Sequence, residues 1–84
     1  MSLDQKIKQR LFETAFKRLT RHQIKKTDRT ARNILEALQL LCGREITEPD
    51  LNLIYHELRL RLQHHEAPDV TLAWLLHLLE ANQS

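Results

Sequence analysis

A chain of 84 residues with 42% hydrophobic and 29% charged side chains has the balance of a single helical domain spanning residues 1–84. One cysteine excludes an internal disulfide framework and fits a reducing, cytoplasmic setting, and one glycine, two prolines and seventeen leucines leave little turn or β-branched material for a sheet. The formal net charge is +2, but residues 1–32 hold ten Lys or Arg against three acids, and residues 33–84 hold three against eight.

The predicted fold class is all-α: a small antiparallel bundle of four helices over about residues 2–22, 28–42, 47–65 and 68–81. The first helix opens at Ser2, with Gln5 three residues on in a capping-box pattern. Leu3, Ile7, Leu11, Phe12, Ala15, Phe16 and Leu19 follow at helical spacing and are expected to form one core stripe, with Lys6, Arg10, Glu13 and Lys17 on the opposite side. Ile24 either extends that stripe or pins the connection. Thr27 or Asp28 can cap the second helix, whose stripe is Ala31, Ile34, Leu35, Leu38, Leu41 and Cys42. Gly43 stands where a residue of positive φ would end it.

Thr47 is the expected N-cap of the third helix, with Pro49 in its first turn and Glu48 and Asp50 at its positive end. Leu51, Ile54, Tyr55, Leu58 and Leu62 make its main stripe, and Leu53 and Leu60 lie on a separate flank. His64 to Asp69 interrupts the pattern, since Pro68 disfavours helix at Ala67. From Pro68 to Ala81 the fourth helix is apolar nearly all round and is expected to be buried all round, by the bundle or by another chain. Its apolar run, Val70 to Leu79, is broken by Thr71 and His77 and is too short for a bilayer, so no membrane span is expected. Charged residues in the first ten positions, with no apolar segment after them, also argue against a secretory signal.

Catalytic and ligand chemistry finds little material. The five histidines show no chelating spacing: His64, His65 and Glu66 are adjacent and point apart on a helix, and no HExxH or CxxC occurs. Cys42 falls on an apolar stripe and reads as a packing residue. A single glycine excludes a phosphate-cradling loop. The expectation is therefore a non-enzyme with no catalytic residue, no cofactor and no metal.

Two classes of partner remain. The leading expectation is an adaptor or regulatory protein that acts by protein–protein contact and associates as a homodimer. Its interface would be built from Leu53 and Leu60 on the third helix and Trp74 and Leu78 on the fourth, with Leu40 a lesser candidate. The alternative is sequence-independent nucleic-acid binding by the basic N-terminal third, with Arg21, Lys25, Lys26, Arg29 and Arg32 on phosphates. A base-reading helix-turn-helix is disfavoured, because the third helix would present Glu45, Glu48 and Asp50 to the backbone.

The run from Asp50-Leu51 through Leu62 to Leu75-Leu76 and Leu79 resembles the tail of small bacteriocin immunity proteins. That resemblance covers about the last 35 residues. It implies a cytosolic helical bundle that protects a producer cell from its own peptide toxin, and it carries over no functional residue.

Overall fold

A computed structural model describes residues 2–81. Four α-helices, α1 (Leu3–Arg18), α2 (Arg29–Cys42), α3 (Glu48–Gln63) and α4 (Pro68–Ala81), form a small all-α bundle. The first helix stops at Arg18, four residues short of the expected end. Leu19 and Thr20 turn extended, and a separate 3₁₀ turn covers Arg21–Gln23. Leu19 and Ile24 flank that turn and are both buried, so the chain leaves the helix to pin two apolar side chains into the core. Gln23 accepts from the Thr20 N–H at 2.9 Å and holds the turn.

The remaining boundaries follow local chemistry. The Ser2 hydroxyl accepts from the Gln5 N–H, and Asp28 accepts from the N–H groups of Thr30 and Ala31 at 2.8 and 3.1 Å. Gly43 takes φ 72° and ends α2, as expected. Thr47 precedes α3 but does not cap it with its side chain; its hydroxyl donates to Asp50 instead. The third helix closes at Gln63, two residues short of expectation. His64 and His65 form the turn, and His65 adopts φ 54°.

Phe12 and Phe16 of α1, Ile34 and Leu38 of α2, Ile54 and Leu58 of α3, and Leu72, Leu75 and Leu79 of α4 make one contiguous core. The first helix packs on both α2 and α4, and α3 leans on α4. One sequence expectation fails here: Leu3, Ile7 and Leu11 lie outside the core. Of the two ways to bury α4 all round, enclosure by its own bundle does not occur. Its inner face buries Thr71, Leu72, Leu75 and Leu79, while Val70, Ala73, Trp74 and His77 face outward. Among the described residues no helix is long and apolar enough to cross a membrane.

Candidate interaction surface

The apolar arc of α1 is too wide for one face. At 100° per residue it spans about 220°, roughly twice the stripe that a core-facing helix needs. The bundle takes only one part, Phe12, Ala15, Phe16 and Leu19. Leu3, Ile7 and Leu11 are left 74%, 54% and 52% exposed, and Leu40 of α2 stands 49% exposed nearby. Between the two helices lies an open groove of about 610 Å³. Ile7, Leu11, Ala15, Ala37 and Leu40 give it an apolar lining, and Arg10, Arg18 and Glu36 contribute its charges. Neither arginine forms an ion pair among the described residues.

The residues singled out from sequence separate into two groups. Leu53 and Leu60 share an α3 flank with Glu57, and the Trp74 indole N–H donates to Glu57 Oε2 at 3.0 Å. So α3 and α4 do bring Leu53, Leu60 and Trp74 to one side of the bundle. Trp74 is already engaged there. The Arg61 guanidinium lies 5.1 Å from its ring centroid and bonds Glu57 and Glu66, and the Thr71 hydroxyl donates to Glu66. Burial opposes the charge on Arg61, but its bonds to Glu66 and Glu57 outweigh that and keep its pKa above the ordinary value. Trp74 keeps 38% of its surface and Leu60 36%. Leu78 does not belong with them: it is partly buried and packs on the core. This side is therefore an internal clasp between α3 and α4 with a thin apolar rim.

The basic residues Arg21, Lys25, Lys26, Arg29 and Arg32 are all exposed. Lys26 is occupied by Glu48 at 2.9 Å. That is the single ion pair, among the described residues, that joins the basic N-terminal third to the acidic remainder; Lys8 pairs within α1 with Asp4. Arg21 and His22 line a shallow cavity of about 350 Å³ with Arg59, whose Nη2 donates to the Ile24 carbonyl. The charge asymmetry of the sequence is thus left largely uncompensated inside the molecule.

The other chemistry is structural. Arg44 donates from Nη1 to Asp50 at 3.0 Å and from Nη2 to the Leu79 carbonyl at 2.7 Å, tying the α2–α3 loop to the end of α4. The Cys42 thiol contacts the carbonyls of Gln39 and Arg44. Burial pushes the Tyr55 phenol above its ordinary pKa, and its hydroxyl has no partner among the described residues. No three of His, Cys, Asp and Glu gather in metal-binding proximity among those residues.

Sequence reasoning named Leu40 but missed Ile7 and Leu11. The width of the α1 arc was the signal available. With the groove described, comparison adds nothing to its identity: the chain matches no known protein family, no curated protein and no solved structure.

Proposed function

We propose that this chain is a non-enzymatic adaptor or regulatory protein that acts by protein–protein contact, with the α1/α2 groove as its contact surface. The observation that carries this reading is the groove itself. Ile7, Leu11 and Leu40 stand about half exposed along an apolar lining, bordered by Arg10 and Arg18, which form no ion pair among the described residues. Scattered exposed leucines are ordinary on a soluble protein, but a contiguous apolar patch framed by charge is the usual form of an interaction site. The groove on α1 and α2 is the more open apolar surface; on the α3/α4 side favoured by the sequence, the Trp74 indole N–H is taken by Glu57 and its ring lies against Arg61.

A photo-crosslinking residue at position 11 tests the reading in living cells. A discrete adduct is expected at position 11, absent from a control at exposed His64 and abolished by Leu40→Glu. Equal labelling at the two positions, or adducts indifferent to Leu40→Glu, would refute it.

A second reading, nucleic-acid backbone binding, is supported by the exposed Arg21, Lys25, Arg29 and Arg32, which form no ion pair among the described residues, beside the Arg21–His22–Arg59 cavity. Fluorescence anisotropy with mixed-sequence duplex and single strands tests it. Binding that persists at physiological salt but weakens steeply above it, and is lost in Lys25→Glu/Arg29→Glu, supports that reading. No binding at low salt removes it.

A further inference from the structure

We infer that the occupant of the α1/α2 groove is the outward face of α4 from a second copy of the chain; this rests on the groove being a contact surface. Three independent observations meet in that pairing. The first is shape. Val70, Ala73, Trp74, His77 and Ala81 fall within an arc of about 100° on α4, a single ridge. Val70 is 52% exposed on it. From Val70 to Ala81 the ridge runs about 16 Å, and the groove wall from Ile7 to Arg18 covers the same number of residues and the same length.

The second is charge. The fourth helix carries Asp69 and Glu80 and no Lys or Arg. Both acids lie along one edge of the ridge, and neither forms an ion pair among the described residues. Arg10 and Arg18 are the cations that border the groove, with Glu36 its one acid. The third is the molecule as a whole. A basic third and an acidic remainder, joined among the described residues by one exposed ion pair, are complementary surfaces that fail to satisfy each other within a single copy.

The ridge and the groove are different surfaces, so the contact is heterologous at each site. Laid once, it would propagate; laid reciprocally about a two-fold axis, it closes. A stable interface buries about 1,600 Å² in total, and a three-turn helix face is small on that scale. Two such contacts per dimer answer both points, so each copy's α4 ridge is assigned to the other's groove.

Sedimentation equilibrium of the full chain, with its two blocking variants, is the test. Leu11→Glu disables the groove and leaves the ridge. Val70→Glu disables the ridge and leaves the groove. Both sites are solvent-exposed, so native circular dichroism and Trp74 emission are expected for each variant. Wild type should exceed the 10.0 kDa monomer mass and shift toward it as salt rises. Each variant alone should be monomeric. An equimolar mixture should regain association weaker than wild type, since one of the two contacts survives. Association that persists in either variant alone would mean a groove-to-groove or ridge-to-ridge contact and would overturn the proposal, and so would a mixture that stays monomeric up to about 1 mM. A wild type that is monomeric up to about 1 mM, a concentration at which even contacts of about −4 kcal/mol are populated, would also overturn it. In that case the crosslink at position 11 separates the two readings. An adduct that survives leaves the groove in use by another protein, and its absence removes the groove as well.

Discussion

Arg44→Ala is the substitution whose cost follows most directly from the structure. Its guanidinium bonds the Asp50 carboxylate, the Leu79 carbonyl and, at 3.3 Å, the Glu45 carbonyl. Removal strands a carboxylate whose side chain is 9% exposed and takes the guanidinium donor from the Leu79 carbonyl near the end of α4. Breaking a fully buried pair from one side costs about 3–5 kcal/mol, and a hydrogen bond to a charged group contributes about 1.5–3 kcal/mol. The Arg44 side chain keeps 24% of its surface, so solvent recovers part of the loss. The expected cost is about 2–3 kcal/mol, against a total stability of about 4–13 kcal/mol at this length. Urea unfolding followed by far-ultraviolet circular dichroism measures it.

The pH dependence supplies a sharper check. The hydrogen bond from Arg44 is the largest influence on Asp50 and holds its carboxyl below the ordinary value, against the opposing effect of burial. A depressed folded pKa contributes stability above the unfolded value of about 3.9, and that stability is lost as pH falls through the folded pKa. Without Arg44, burial is left to raise the same group, opposed by the Thr47 hydrogen bonds. The penalty of Arg44→Ala should therefore be full at pH 7 and shrink below about pH 4. In a double-mutant cycle with Asp50→Asn, the coupling should behave the same way. A penalty under about 0.5 kcal/mol, or one independent of pH down to 2.5, would refute the reasoning.

Adjacent positions on α1 should part company. Phe12→Ala should cost about 3–5 kcal/mol, while Leu11→Gln should stay within about 0.5 kcal/mol in urea melts at concentrations where the chain is monomeric. Tyr55→Phe removes a buried hydroxyl that lacks a protein partner, so its midpoint should hold or rise; a loss of about 1 kcal/mol would show that the hydroxyl is satisfied. Gly43→Ala should cost about 1 kcal/mol from the positive φ alone, because nothing lies within 4 Å of the added Cβ. Asp28→Ala should cost about 1 kcal/mol and weaken amide protection at Thr30 and Ala31 first, readable by hydrogen exchange.

The parts of the fold set by neighbours in sequence were the legible ones. Asp28 and Gly43 act on backbone groups a few residues away, and their roles follow from side-chain chemistry and φ preference. The groove was hidden for a different reason. Leu11 and Phe12 are equally apolar and adjacent, and only the placement of α2 and α4 decides which of them is covered. A leucine-rich α4 likewise suggests enclosure from composition alone. Enclosure fails because α1, α2 and α3 all pack on the inner side of α4, which leaves no further helix to cover its outer face. The Arg44 clamp spans 35 residues of chain and the Trp74–Glu57 bond spans 17, distances at which no local pattern operates. Lys26 reads from sequence as one member of a phosphate-binding set, and its exposed pair with Glu48, 22 residues away, was equally out of reach of a local pattern.

The packing of α1 against α4 also bears on how the chain comes together. Neighbouring helices α1 and α2 can dock as a hairpin as soon as both have emerged during synthesis, burying Phe12 and Phe16 against Ile34 and Leu38. That hairpin still lacks the side that α4 supplies, and α4 is made after the other three helices. The transition state should therefore be polarised toward the N-terminal hairpin, with mutations in α4 acting mainly on the unfolding rate. A nascent chain halted after α2 would hold its half-core open until translation delivers α4.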